Sequence, residues 1–167
     1  MLSLLIFTVS FAIIVSAMCS LLEAALYSLR LGHIELLGKK HPASAKVLKR
    51  LKSNIDEPIT AILTLNTLAH TIGAAISGAA AAVVFGKGNV IWFSLVFTLA
   101  ILILSEIIPK TAGVVYARHL GRFIAYPLKW MIIILRPFVW LCQKVTLLIP
   151  HRGAASHISA EEIEAIA

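Results

Sequence analysis

The sequence predicts an all-α integral membrane domain with three transmembrane helices and amphipathic helices at the membrane edge. Two observations carry that prediction. Of 167 residues, 59% are hydrophobic and only 14% charged, with a mean hydropathy of +0.92; soluble domains are about 45–50% apolar. The 15 Lys and Arg residues are also clustered: seven lie between Arg30 and Lys52, seven from Lys110 to Arg152, and only Lys87 lies elsewhere. Basic clusters beside apolar spans mark cytoplasmic loops. A formal charge of +7 can also signal nucleic acid, but no aromatic-basic interleaving accompanies it, so no nucleic-acid partner is expected.

The first span, 2–29, is apolar apart from small polar residues and Glu23. It lacks a basic leader region and outruns the apolar core of a cleaved signal, so it is expected to stay. In the loop that follows, Ala45, Leu48 and Leu51 recur at helical spacing among Lys46, Lys49, Arg50 and Lys52. That pattern predicts a basic amphipathic helix at about 40–53, lying on an anionic inner leaflet; a solvated loop helix is the alternative. The second span, 58–85, carries no charge, and the third, 90–108, is about 28 Å long at 1.5 Å per residue. Their link "GKGN" is short and nearly neutral, which suits the outside. The N-terminus is then outside and the C-terminus cytoplasmic, in an inner or plasma membrane.

In the segment 122–149, Lys129, Arg136 and Gln143 recur every seven residues, and Pro127 and Pro137 interrupt it. Two or three interfacial helices wrapping the bundle are expected, with Trp130 and Trp140 at headgroup level. The membrane domain thus occupies 1–153. Over 154–167, Ser159 and Glu162 form a capping box that starts an acidic cytosolic linker helix.

The spans are not uniformly apolar. Ser16, Ser20 and Glu23 share one face of the first, and Asn66, His70, Gly73 and Ser77 one face of the second, with Thr67 and Thr71 beside it. The third ends in "SEIIPK", bringing Ser105 and Glu106. A carboxylate facing lipid costs about 3 kcal/mol or more, so Glu23 and Glu106 are expected to face the bundle interior or water. Hydroxyl, carboxamide and carboxylate oxygens are hard donors that suit Mg²⁺, Ca²⁺ or Na⁺. The metal candidates are therefore Ser16, Ser20, Glu23, Asn66, Ser105 and Glu106. Thr67, His70, Thr71, Pro109 and Lys110 are candidates for supporting or gating them.

Blander readings stand beside these. Ser and Thr in membrane helices bond their own backbone, and Asn66 can clamp two helices. Glu23 can pair with Arg30, and Lys110 can pair with Glu106 one turn away. Pro109 withholds the donor that the Ser105 carbonyl needs, which delivers a carbonyl beside the acid or simply kinks the helix. An enzyme is not expected: HExxH, paired aspartates and a Gly-flanked serine nucleophile are all missing from the sequence.

"SAMCSLLEAALYSLR", "LNTLAHT" and especially "SEIIPK", in that order, resemble the transmembrane domain of the CorC/CNNM family of magnesium transport proteins. The resemblance implies three transmembrane helices, a juxtamembrane belt, a homodimer, and Mg²⁺ export coupled to Na⁺. It places Ser16, Ser20, Asn66 and Glu106 on the ion-site motifs, while Glu23 and His70 stand where animal members have asparagine. It also implies C-terminal cytosolic CBS-type domains beyond this sequence. Independently, Ala74, Gly78 and Ala82 form a small-residue face suited to close helix approach, in a dimer or within one subunit. The leading functional expectation is a Mg²⁺ transporter; the alternative is a non-transporting membrane sensor or scaffold in Mg²⁺ homeostasis.

Overall fold

Apolar runs in lipid must satisfy their own backbone, and here they do so as helices. The computed structural model describes residues 1–146, so the expected linker helix at 154–167 lies outside the described residues. Within them every element is helical: α1 (Leu2–Ser28), α2 (Leu31–Lys40), α3 (Pro42–Ser53), α4 (Asp56–Phe85), α5 (Val90–Ala100), α6 (Ile108–Val115) and α7 (Ala117–Thr146). A 3₁₀ turn, Lys87–Asn89, joins α4 to α5, and a π-helical stretch, Ile101–Ile107, joins α5 to α6. The chain is an all-α, multi-pass membrane domain.

α1 and α4 match the first two predicted spans. α1 ends where Leu29 turns extended. Its last carbonyls are capped by a residue far along the chain: Lys52 donates to the Leu26 oxygen at 2.9 Å and to the Tyr27 oxygen at 3.1 Å. A cation there also meets the negative end of the helix dipole, while burial pulls the Lys52 ammonium below the ordinary lysine range. α4 opens on Asp56 and Glu57, acids at the positive end of its dipole. It closes at Gly86, whose φ of 81° and ψ of 154° suit glycine alone. The chain reverses there, so α4 runs against α5.

The third span runs further than predicted, through Pro109 to Val115. Proline lacks an N–H, which costs little in the first turn of α6. The stretch before it is wound in π register, with the Ile108 N–H bonded to the Ile103 carbonyl five residues back.

Two expectations are corrected. The helix predicted at 40–53 exists as α3, but its apolar face is covered by protein rather than by the inner leaflet. Ala45, Leu48 and Leu51 are buried in one cluster with Ile124, Leu128 and Leu135 of α7. Segment 122–149 is not broken into two or three helices over its described part. α7 runs unbroken for 30 residues through Pro127 and Pro137, both exposed. Each proline deletes one local bond, and a long helix held by packing on its other face survives that loss. By length and composition α7 joins the other three as a helix able to cross a membrane.

The core divides by level. One cluster joins the C-terminal half of α1 (Cys19 to Leu29), the start of α4 (Ala61, Ile62), α3 and α7. A smaller one at the opposite end joins Leu5, Ala80 and Ala81, with Phe93 against them. All the buried hydrophobic residues of α7 over 124–139 belong to the first cluster, so α7 packs at one end of the bundle. Trp130 and Trp140 are exposed beside it.

Candidate cation site

Two contacts fix how α1 lies against α4. A Cβ built on Gly73 falls 2.6 Å from the Ala12 Cβ, so these helices touch almost backbone to backbone. One turn along, Ser16 Oγ and His70 Nε2 are 2.5 Å apart, a hydrogen bond whose direction follows the histidine tautomer. Ala12 faces Gly73 and Ser16 faces His70, so the helices are antiparallel. One further turn sets Ser20 level with Asn66. Both side-chain oxygens at that level are buried and without a hydrogen-bond partner: Ser20 Oγ and Asn66 Oδ1. An orphaned buried polar atom costs about 1–3 kcal/mol.

The third wall is the π segment with α6. α5 and α6 run parallel to α1, because α4 opposes both. A Cβ on Gly113 falls 2.7 Å from the Leu21 oxygen and 2.8 Å from the Ala24 Cβ, which pins α6 tightly to α1. Two turns back from Gly113, Ser105 therefore comes to the level of Ser16. Ser105 is fully buried and donates to the Ile101 carbonyl at 2.6 Å, leaving its lone pairs free to accept. Glu106 is half-buried and makes no ion pair or hydrogen bond with a described residue.

The structure thus gathers Ser16, His70 and Ser105 on one level and Ser20 and Asn66 on the next, with half-buried Glu106 following Ser105 in the chain. Thr67 and Thr71 are exposed, and Thr71 spends its hydroxyl on the Thr67 carbonyl. Ser77 does the same with Gly73. The Lys110 Nζ lies 3.5 Å from Glu23 Oε2, so Lys110 bridges to α1 instead of pairing with Glu106, and Glu23 does not pair with Arg30. Pro109 is buried. Among the described residues no group of three His, Cys, Asp or Glu side chains is suited to a metal. A cation here must draw on serine and asparagine oxygens with Glu106.

Sequence reasoning named Lys52 and Gly73 without their roles, Lys52 capping α1 and Gly73 setting the helix spacing, and missed Gly113, which sets the spacing too. Small residues in the apolar spans were the available signal for the two glycines. Nothing local signals the Lys52 cap, which joins residues 26 apart.

Together these features define a class: a multi-pass helical membrane domain with a band of buried, hard oxygen donors between its helices. The sequence matches the Cyclin M transmembrane N-terminal domain family (CNNM) over residues 7–167, and the chain belongs to that family. It is 32% identical over 152 residues to a UPF0053 protein of Synechocystis, covering 91% of this chain and 44% of that protein. It is 32% identical over 122 residues to a chloroplastic DUF21 domain-containing protein of Arabidopsis thaliana, 73% of this chain and 18% of that one. It is 26% identical over 136 residues to a UPF0053 inner membrane protein of Escherichia coli, 79% and 31% respectively. The chain therefore spans less than half the length of these relatives.

Proposed function

We propose that this chain is the ion-binding membrane domain of a Mg²⁺ transporter that exports Mg²⁺ in exchange for Na⁺. The observation that carries the reading is the pair of buried, unpartnered oxygens, Ser20 Oγ on α1 and Asn66 Oδ1 on α4, at one level of the bundle. A hard cation would satisfy both, with Ser16, Ser105 and Glu106 completing an oxygen shell that keeps some water. The π-helical stretch that contains Glu106 supports the same reading, because such bulges recur at functional sites. Glu23, held by Lys110, is less available as a ligand than Glu106.

Two further proposals follow the family. The basic α2–α3 hairpin lies on the cytoplasmic side, and two copies pair through the Ala74–Gly78–Ala82 face. That face is open within one subunit: Ala74 is exposed, and a Cβ on Gly78 meets nothing within 4 Å. Because the chain spans only 44% of its cyanobacterial relative, a sensor that reports Mg²⁺ occupancy to another domain is the second reading.

The test is Mg²⁺ flux into or out of proteoliposomes under an imposed Na⁺ gradient, beside an Asn66→Ala, Glu106→Ala double variant. Transport requires flux that follows the Na⁺ gradient and collapses in the variant. Undiminished flux in the variant would refute this site. Saturable Mg²⁺ binding with no flux selects the sensor.

A further inference from the structure

The stripe of cations along α7 has no role in the Mg²⁺ reading, yet it lines a cavity of about 380 Å³ between α7, α3 and the start of α4. Lys129 and Arg136 reach it from α7, and Lys46 and Arg50 from α3. Glu57 is the sole anion among the lining residues, and its carboxylate accepts a hydrogen bond from Asn54 at 3.4 Å. Four cations and one anion leave the cleft a formal net +3. None of the four cations forms an ion pair with a described residue, and all four are exposed.

The walls are not polar throughout. Leu51 and Ile132 are buried at the back of the cleft, with Val47 and Ile133 nearer its mouth. The cleft also sits beside the inward end of the bundle defined by α3, where Lys52 caps α1. Unneutralised cations over an aliphatic wall, at the edge of membrane-spanning helices, match one ligand chemistry. That chemistry is a phosphate carrying hydrocarbon.

We propose that this cleft binds the phosphate headgroup of an anionic glycerophospholipid. Arg50 and Arg136 offer planar forks that match phosphate oxygens, while Lys46 and Lys129 add mobile ammonium groups. The glycerol and upper acyl carbons lie along Ile132 and Ile133. Basic pockets between membrane helices hold anionic headgroups by this combination. A bound lipid bridges α3 to α7 and neutralises cations that otherwise repel one another. A free phosphate ion satisfies the charges but leaves the aliphatic wall uncovered, which favours the lipid.

The experiment uses the full chain without Mg²⁺, in nanodiscs of phosphatidylcholine with or without a minority of phosphatidylglycerol. A third arm adds inorganic phosphate to pure phosphatidylcholine discs. Lipid retained per chain is read by native mass spectrometry after release into detergent, and the unfolding midpoint is read in each disc. The expected result is roughly tenfold or greater retention of phosphatidylglycerol over phosphatidylcholine, with a raised midpoint. Lys129→Gln with Arg136→Gln should bring retention of the two lipids within about twofold. If that pair does not fold, Lys46→Gln with Arg50→Gln on α3 tests the same cleft. Lys39→Gln with Lys40→Gln, exposed on α2, removes equal charge elsewhere and should change nothing. Equal retention of both lipids by the unmodified chain overturns the proposal. So does an equal loss in the α2 control, which reduces the effect to overall charge. An equal midpoint rise with inorganic phosphate overturns the lipid as the occupant.

Discussion

α1 makes two long contacts, and they are built to opposite specifications. Against α6 it is closed: Gly113 lies under the Leu21 carbonyl and the Ala25 N–H, with no room for a methyl group. Against α4 it is equally close at Ala12 and Gly73, but one and two turns further it opens into Ser16, His70, Ser20 and Asn66. A membrane helix gains little by hydrophobicity from leaving lipid for a neighbour, so small residues that permit close packing hold such pairs. The α6 contact uses that means at Gly113, beside one partly exposed ion pair, Lys110 to Glu23. The α4 contact uses it once, at Gly73, and then carries two unpartnered oxygens that close packing would not require. One face of α1 is an anchor, and the other is anchored only well enough to hold a polar site.

The largest effect expected is at the anchor. In Gly113→Ala the new Cβ meets backbone atoms of α1, the Leu21 oxygen at 2.7 Å and the Ala25 nitrogen at 3.1 Å. These move only if a helix bends or separates, so a loss of about 1–3 kcal/mol is expected, read by unfolding in detergent. Gly73→Ala meets a side chain instead, the Ala12 Cβ at 2.6 Å. Adding Ala12→Gly should therefore restore most of the loss. If Gly73→Ala proves the costlier and Ala12→Gly fails to rescue it, the α4 contact is the stricter one and the contrast reverses.

Next comes the polar level. Ser20→Ala removes a buried hydroxyl that has no partner. In Mg²⁺-free protein it should be neutral or stabilising by about 1 kcal/mol, since an unpaired group is deleted. On the proposed Mg²⁺ reading, the same variant should lose the stabilisation that bound Mg²⁺ would confer, about 2.7 kcal/mol at 100-fold excess over Kd. Ser77→Ala, whose hydroxyl is already bonded to Gly73, should keep the full Mg²⁺ response. Thermal unfolding across a Mg²⁺ series separates the two. A Ser20→Ala protein that is destabilised and still responds to Mg²⁺ would make Ser20 a packing residue.

The sequence made some of this legible and withheld the rest for definite physical reasons. Hydropathy located α1 and α4 almost to the residue because lipid demands long uncharged helices. Periodicity identified the apolar face of α3, at Ala45, Leu48 and Leu51. A period says which face is apolar and never what covers it, and the cover proved to be α7. Pro127 and Pro137 suggested breaks, but tertiary packing of Ile124, Leu128 and Leu135 outweighs two missing bonds. Helical spacing puts the polar candidates on shared faces along each helix. Which ones meet across helices depended on the Ala12–Gly73 register, which no single helix encodes. Lys110 shows this most clearly. Spacing of four residues offered Glu106 as its alternative partner, on the assumption of 3.6 residues per turn. The π winding up to Ile107 departs from that assumption, and Lys110 meets Glu23 instead.

That ion pair gives the smallest effect and the sharpest check on the contrast. It belongs to the anchor side of α1, yet it is polar. Its side chains are 46% and 20% exposed and its atoms are 3.5 Å apart, so water still reaches both partners. Partly solvated pairs contribute about 0–1 kcal/mol. Lys110→Gln and Glu23→Gln should each cost no more than that, with a coupling in the double variant that shrinks as salt rises. Neither change should alter the Mg²⁺ response if Glu23 serves the α6 contact alone. A coupling above about 2 kcal/mol, insensitive to salt, would mean the pair is shut off from water. A lost Mg²⁺ response in Glu23→Gln would carry the ion site one turn further along α1, and the two faces of that helix would then share one polar system.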